Sequence, residues 1–562
     1  MARRIRWQIL IASVSSILVL GLISYLALTT TAIARPLSGG VYVEGLLALP
    51  QSLNPLVSNP AQDQTSADLQ TLLFDGLMRT GPDGLAEPAL AQSWPEVSED
   101  GTVYTFALRQ NVVWHDGTPF TADDVVFTMR AVQSPAFTGN PATAELWRNV
   151  LIDKVDDYTV RVTLTSPAAP FLNLATFPIV PSHILDAVPP QEWSTVSFSR
   201  EPIGTGPYQM NEVTSEYILL EANPTYYEDR PFIDSIEFRF FNSYQEATAA
   251  LVRGEINSLG FLSTNEQYRV TPPPGNARPE VLLDTYTILT FNLRDDLLVD
   301  EQLRQALATG LDKDVLIEQT LDNRVSRIDT PILPGWWVAN PELSWYEADQ
   351  QAAADALDAL GYAVGNDGVR VRGESALEFL LITDDVPERV AVAQEISRQW
   401  GEIGIRVEIE QFASATLQQR LQERDFVLAL HGWQRLGPDP DVTFAQWHSS
   451  NAETGFNYAG LEDEQIDEAL LNGRRDRQIP ARLSSYTAFQ ERWVELVPSI
   501  TLYQQRYAYT VPADLGGLSF AQVANAPTEL ALPQLLFGRE DRLRNTAQWF
   551  LNSEREIRGD LR

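Results

Sequence analysis

The chain predicts an α/β fold divided into more than one lobe, and three observations carry that expectation. Its 562 residues are too many for one simple core. Between Leu377 and Leu430 the sequence reads LEFLLIT, a helix with Val390, Ala393, Ile396 and Trp400 on one side, IRVEIE, a helix from Ala415 to Glu423, then FVLAL. Strand–helix–strand–helix–strand is the pattern of an open, mostly parallel sheet covered by helices. A composition of 44% hydrophobic and 10% aromatic residues is that of a packed globule.

Formal net charge is −34, which opposes a phosphate backbone, so nucleic acid is not an expected partner. A highly solvated acidic surface is the leading reading of that excess, and a preference for cationic ligands the lesser one. Cysteine is absent, which excludes disulfides, Cys-ligated zinc and Cys nucleophiles. Arg3, Arg4 and Arg6 precede an apolar run from Ile9 to Leu28. As a helix that run spans about 30 Å, one hydrocarbon core, and the basic flank favours a cytoplasmic N-terminus. Ala32-Ile33-Ala34 matches a signal-cleavage pattern. Residues 1–34 are therefore read as a transmembrane anchor or a cleaved signal, and either places the remaining chain outside the cytoplasm.

In order along the chain, Val41 to Gly45 reads as a first strand, and Asp68 to Leu77 as a helix packed through Leu69, Leu72, Leu73 and Leu77. Leu90 to Val132 holds a hairpin turning at Asp100-Gly101, then a second turn at Asp116-Gly117. A helix follows, started by Thr121 and Asp124, with Val125, Val126, Met129 and Val132 on its apolar face. YTVRVTL after Asp157 is a strand. The prolines of PFLNLATFPIVPSHI restrict that stretch to a short helix and an irregular connection. Gly204 to Tyr208, GTGPY, is a bend into a strand; no Lys or helix signal follows it, as a phosphate-binding loop needs. TYTILTFNL is a strand, and Gln302 to Leu311 a helix.

LAQSW from Leu90, DGTVYTFALRQNVVWHDGTPFTADDVVF from Asp100, and GTGPY together resemble the signature of the extracytoplasmic solute-binding proteins of peptide-type ABC importers, solute-binding family 5. RQALATGLDKDVLIEQ, DTPILPGWW, FNYAGLEDEQIDEALLNG and NTAQWFL extend the likeness from about Gly40 to the C-terminus. The resemblance implies a periplasmic-binding-protein-like type II fold: two hinged lobes with mixed sheets and an extra subdomain in the first. Residues 40–284 would form the first lobe, with the extra subdomain near 85–200, residues 285–502 the second, and 503–562 the return. The chain would cross between lobes near Tyr286 and Tyr503. Also implied are a peptide or similar small solute captured by closure, and delivery to ABC permease and ATPase subunits. The expected receptor is a monomer without cofactor. A same-fold receptor for oligosaccharide, opine or chelated nickel stays open, as does a membrane-tethered sensor or chaperone-like binding module.

Catalysis has no positive sign. His115, His183, His431 and His448 lack metal-ligand spacing, and no G-x-S-x-G elbow occurs, so no catalytic residue or metal ligand is assigned. Helix capping explains Asp123-Asp124. The loop expected after FVLAL, His431 to Asp441, lies beyond the carboxyl end of a strand, where α/β sheets collect ligands. Trp433 matches the tryptophan that lines the family's cavity, and an aromatic face can cover an apolar side chain, a sugar or a cation. Peptide binders of the family carry an aspartate three residues later for the ligand's α-amino group. Here that position is Leu436, preceded by Arg435, so unless Asp439 substitutes, a blocked or anionic peptide, a sugar or another small solute is expected, with the peptide-type receptor the leading reading. Asp439 either substitutes as the amine anchor or fixes a turn with Asp441. Glu44, Asn292 and Tyr458 complete the candidate ligand contacts.

Overall fold

The structure is a computed structural model that describes residues 19–21, 32–59, 63–81, 84–260, 271–343, 345–434, 439–518, 535–536 and 539–557. Most of the apolar leader, together with Arg435 and Leu436, lies outside the described residues. No described helix is long and apolar enough to cross a membrane.

After β1 (Ala32–Leu37), β2 (Val41–Leu46) enters the first lobe. Helix α1 (Gln64–Leu73) starts earlier than its leucine spacing suggests, because Asp63 accepts the Ser66 amide at 3.0 Å and caps it there. A four-stranded antiparallel sheet follows from β3 (Glu96–Val97), β4 (Val103–Ala107), β5 (Leu151–Asp156) and β6 (Thr159–Thr163), in the order β3-β4-β6-β5. Gly101 turns the β3–β4 hairpin at φ +74°, a conformation that favours glycine. Helix α2 (Ala122–Val132) lies against this sheet and buries Val125, Val126, Met129 and Val132 as its periodicity predicts. The main sheet is completed by β7 (Tyr208–Val213), β8 (Tyr217–Ala222), β9 (Ser235–Phe240) and β10 (Ser258–Leu259), ordered β10-β2-β9-β8-β7. Strand β2 runs parallel to β9 and β10. Both sheets feed one apolar core that reaches from Tyr42 to Trp549.

The second lobe has its own core, running from Leu282 to Tyr503. Its seven-stranded sheet contains β11 (Glu280–Phe291), β12 (Val325–Arg327), β13 (Glu378–Asp384), β14 (Arg406–Phe412), β15 (Leu428–Gln434) and β16 (Ser499–Ala508), ordered β12-β16-β11-β15-β13-β14. Leu535–Leu536 pairs beside β11 as the seventh strand. Strand β13 is parallel to β14 and β15, so the alternation between Leu377 and Leu430 does build a parallel unit. Strand β11 joins it antiparallel, which makes the whole sheet mixed. Helices α3 (Glu301–Thr309), α4 (Lys313–Leu321), α5 (Pro387–Glu402), α6 (Ser414–Glu423), α7 (Glu464–Arg475) and α8 (Ile479–Leu496) surround the sheet.

Strands β11 and β16 are the crossings. Val281 and Leu283 of β11 pack in the first core, while Leu282, Tyr286 and Ile288 pack in the second. Tyr507 of β16 belongs to the first core, and Leu502 and Tyr503 to the second. At the chain's end β17 (Asn552–Ile557) pairs antiparallel with β1.

Candidate ligand-binding site

Strand β15 continues through His431, Gly432, Trp433 and Gln434, where a loop was expected. These residues pair with Thr285 to Ile288 of β11. Backbone pairing across the sheet overrides the turn tendency of Gly432. The result brings Trp433 to the carboxyl edge of the parallel strands, beside the place where β11 leaves for the first lobe.

Trp433 stands half-buried in an aromatic group. Its ring stacks on Tyr458 at 5.3 Å between centroids, with 10° between planes, and meets Phe456 edge-on at 5.8 Å. Phe456 is 48% exposed, so the group has an open side. Tyr458 is itself buried, and its hydroxyl accepts a 2.7 Å hydrogen bond from Gln418 Nε2. Beneath them His431 is buried, with Nε2 2.9 Å from Thr290 Oγ1. Burial, and less strongly the nearby Arg389 cation, push its pKa down to about 4.

Asp439 does not stand open to a ligand amine. It is 7% exposed and receives Arg482 Nη1 at 2.9 Å, Arg482 Nη2 at 2.6 Å and Asn173 Nδ2 at 3.1 Å. Its Oδ1 also takes the Asp441 amide at 2.9 Å, which is the turn-fixing arrangement. Asp441 in turn holds Arg474 through two hydrogen bonds of 2.7 and 2.9 Å. A buried carboxylate already matched to a guanidinium leaves little charge to offer a second cation.

Two other candidates lie away from Trp433. Glu44 is fully buried under Arg542, whose Nη2 donates to it at 2.5 Å while the same guanidinium holds Asp68 at 2.7 and 2.8 Å. Tyr42 donates its hydroxyl to Glu44 at 3.1 Å. Asn292 follows the far end of β11; its Nδ2 donates to the carbonyls of Phe426 and Arg424 at 2.8 and 3.3 Å. The length of β15 separates it from Gln434, about 20 Å at strand rise. These two side chains are occupied by the framework.

At the same edge as Trp433 lies an ion pair that the sequence reading did not single out, Asp384 with Arg389. Asp384 ends β13 at its carboxyl edge, and Arg389 folds back from the first turn of α5 to clamp it. Nε donates to Oδ1 at 2.6 Å and Nη2 to Oδ2 at 2.5 Å. The signal was available in TDDVPER: an acid at the end of a parallel strand, with an arginine one turn into the next helix.

A family model for the bacterial extracellular solute-binding proteins, family 5, matches residues 86–455. The chain belongs to this family. Among its relatives, the oligopeptide-binding protein AppA of Bacillus subtilis is 28% identical over 86% of this chain and 90% of its own. Protein XP55 of Streptomyces lividans is 30% identical over 80% of this chain and 81% of its own. The solved structure of B. subtilis AppA in complex with a nonapeptide superposes with a TM-score of 0.66 at 25% identity, covering 92% of this family 5 chain and all of that one. The two-lobed type II periplasmic-binding fold expected from the sequence is thus the fold observed.

Proposed function

We propose that this family 5 protein is the extracytoplasmic receptor of an ABC importer, which captures peptides or similar small solutes between its lobes and hands them to a membrane permease driven by an ATPase. The observation that carries the reading is how the lobes meet. Trp433 sits at the edge of the second-lobe sheet from which the crossing strands depart, and hydrogen bonds join the lobes beyond it. Asn173 Nδ2 reaches Asp439 at 3.1 Å, and the Ala169 amide reaches the Arg474 carbonyl at 3.0 Å. Arg477 donates to the carbonyls of Ser98 and Glu99 at 3.2 and 3.3 Å. A solute touching both faces raises the closed population because only that state makes both sets of contacts. The lobe limits 40–284, 285–502 and 503–562, attachment through the apolar leader, and a monomeric receptor belong to the same proposal.

The likeness to an oligopeptide-binding protein seen with a nonapeptide supports peptide as cargo. The test combines mass spectrometry of solute that copurifies with the native protein and small-angle scattering with peptides added. A copurified peptide and a smaller radius of gyration on peptide addition are expected. No compaction with any peptide would remove the clamp.

A further inference from the structure

Helix α6 ends on Arg424, which lies in the left-handed region at φ 59° and ψ 24°. Glycine is the usual residue in that place, because a β-carbon crowds the backbone there. What arginine adds is its side chain. Nε donates to the Ala452 carbonyl at 3.1 Å, and Nη2 to the carbonyls of Gly455 at 2.7 Å and Asn451 at 3.4 Å. Nη1 turns back to the Gln422 carbonyl. All four acceptors are backbone oxygens, so the planar fork works as a clamp on the chain. It fastens residues 451–455 to the end of α6.

That clamped segment runs directly into Phe456 and Tyr458. The Arg424 guanidinium also stands over the Tyr458 ring, 5.5 Å from its centroid, a favourable place for a cation. Tyr458 lies parallel to Trp433 and meets Phe456 edge-on at 6.3 Å. Asn292 supports the strained residue from behind, since its Nδ2 donates to the Arg424 and Phe426 carbonyls. Pairing with Tyr286 fixes the backbone of Trp433, but the plane of its ring is set by the rings it touches. Those rings hang on the segment that Arg424 holds.

We infer that Arg424 is a positioning residue of the solute site: by clamping residues 451–455 and covering Tyr458, it sets the plane of the Trp433 ring offered to the solute. This rests on the solute-capture reading above and deepens it by naming what aligns the site. Arg424 acts through Tyr458 and Trp433 and need not touch the solute. A ring held in place beforehand loses little freedom when a solute group packs on it, so the clamp is felt as affinity. The backbone strain belongs to the same device, because the side chain justifies a conformation that the backbone alone would give to glycine.

Two variants of the full chain separate positioning from plain stability. Arg424→Gly removes the clamp and relieves the left-handed strain, whereas Arg424→Ala removes the clamp and keeps the strain. In both, Arg294 still donates to the Ala452 carbonyl at 2.8 Å and keeps the segment attached. Arg424→Gly should therefore melt above Arg424→Ala, yet the two should share one functional loss. Fluorine NMR of protein labelled with 5-fluorotryptophan, with the Trp433 signal assigned through Trp433→Phe, reads the ring itself. That signal should shift or broaden alike in both variants. Isothermal titration with triphenylalanine should show binding about fivefold weaker than wild type in both, the weight of one misaligned aromatic contact. An unmoved Trp433 signal overturns the inference, as does wild-type affinity in either variant. So does an affinity loss that follows melting temperature and is larger in Arg424→Ala. Each of these leaves solute capture standing. A Trp433 signal that moves in both variants, while wild type takes no triphenylalanine, keeps the clamp on the ring and counts against the peptide reading.

Discussion

His115 accepts the Gly204 amide on Nδ1 at 3.1 Å and lies 3.1 Å from the Gly206 carbonyl through Nε2. The ring is therefore the neutral Nε2–H tautomer. Burial pushes its pKa down to about 4. An unfolded histidine takes up its proton near 6.5, so His115 contributes stability that is complete above that pH and lost as pH falls to about 4. The gap in urea midpoint between wild type and His115→Asn should narrow across that window. Gly204 is more severe: a Cβ there would stand 1.7 Å from the Leu73 carbonyl. Gly204→Ala should cost about 3 kcal/mol or more by urea unfolding, while Gly117→Ala, strained only by its φ of +85°, should cost about 1–2 kcal/mol. The motifs that identify the family thus prove to be framework. WHDG and GTGPY were legible as sequence because His115 interlocks with Gly204 and Gly206, and Trp433 was singled out through resemblance and through its place after a strand. The pairing of Glu44 was not legible for a physical reason: Arg542 lies 498 positions away, and one sequence gives no sign of it.

Four of the eight helices named above begin on aspartate. Asp63, Asp300, Asp312 and Asp463 each accept a backbone amide at the starts of α1, α3, α4 and α7, so part of the acidic excess serves local structure and need not attract a cationic ligand. Replacing Asp300 with Ala should lower stability by about 1 kcal/mol, read as a small fall in urea midpoint. Asp463 should cost more, since it also receives Arg492 at 2.7 and 3.1 Å. Strand β13 and helix α5 were readable because a short apolar run, Phe379 to Ile382, precedes a long amphipathic period. Strand β15 was read four residues short. FVLAL carries the apolar signal, but His431 to Gln434 is held in the sheet by Thr285 to Ile288, residues about 145 positions upstream.

At the level of the whole molecule, the opening proposed above would have to break the cross-lobe hydrogen bonds of Asn173 and Arg477. Asn173 and Asp439 are 266 positions apart, and no local pattern announces their meeting; the two-lobe plan itself came from family likeness and chain length. A double substitution, Asn173→Ala with Arg477→Ala, removes donors on both sides of the contact without creating a buried unpaired charge. The expected outcome is a larger radius of gyration without ligand and about three- to tenfold weaker solute binding, as the competent population shrinks. Unchanged scattering would show that these bonds do not govern closure. Between the two bodies, residues 283–285 of β11 stand against the single residue Gln505 of β16, and Gln504 Nε2 ties the Leu283 carbonyl at 2.9 Å. Under the proposed closure, this irregularity is where a gimbal would sit: a swing of one body would be taken up by torsions in a few peptides, with the regular rungs on either side intact.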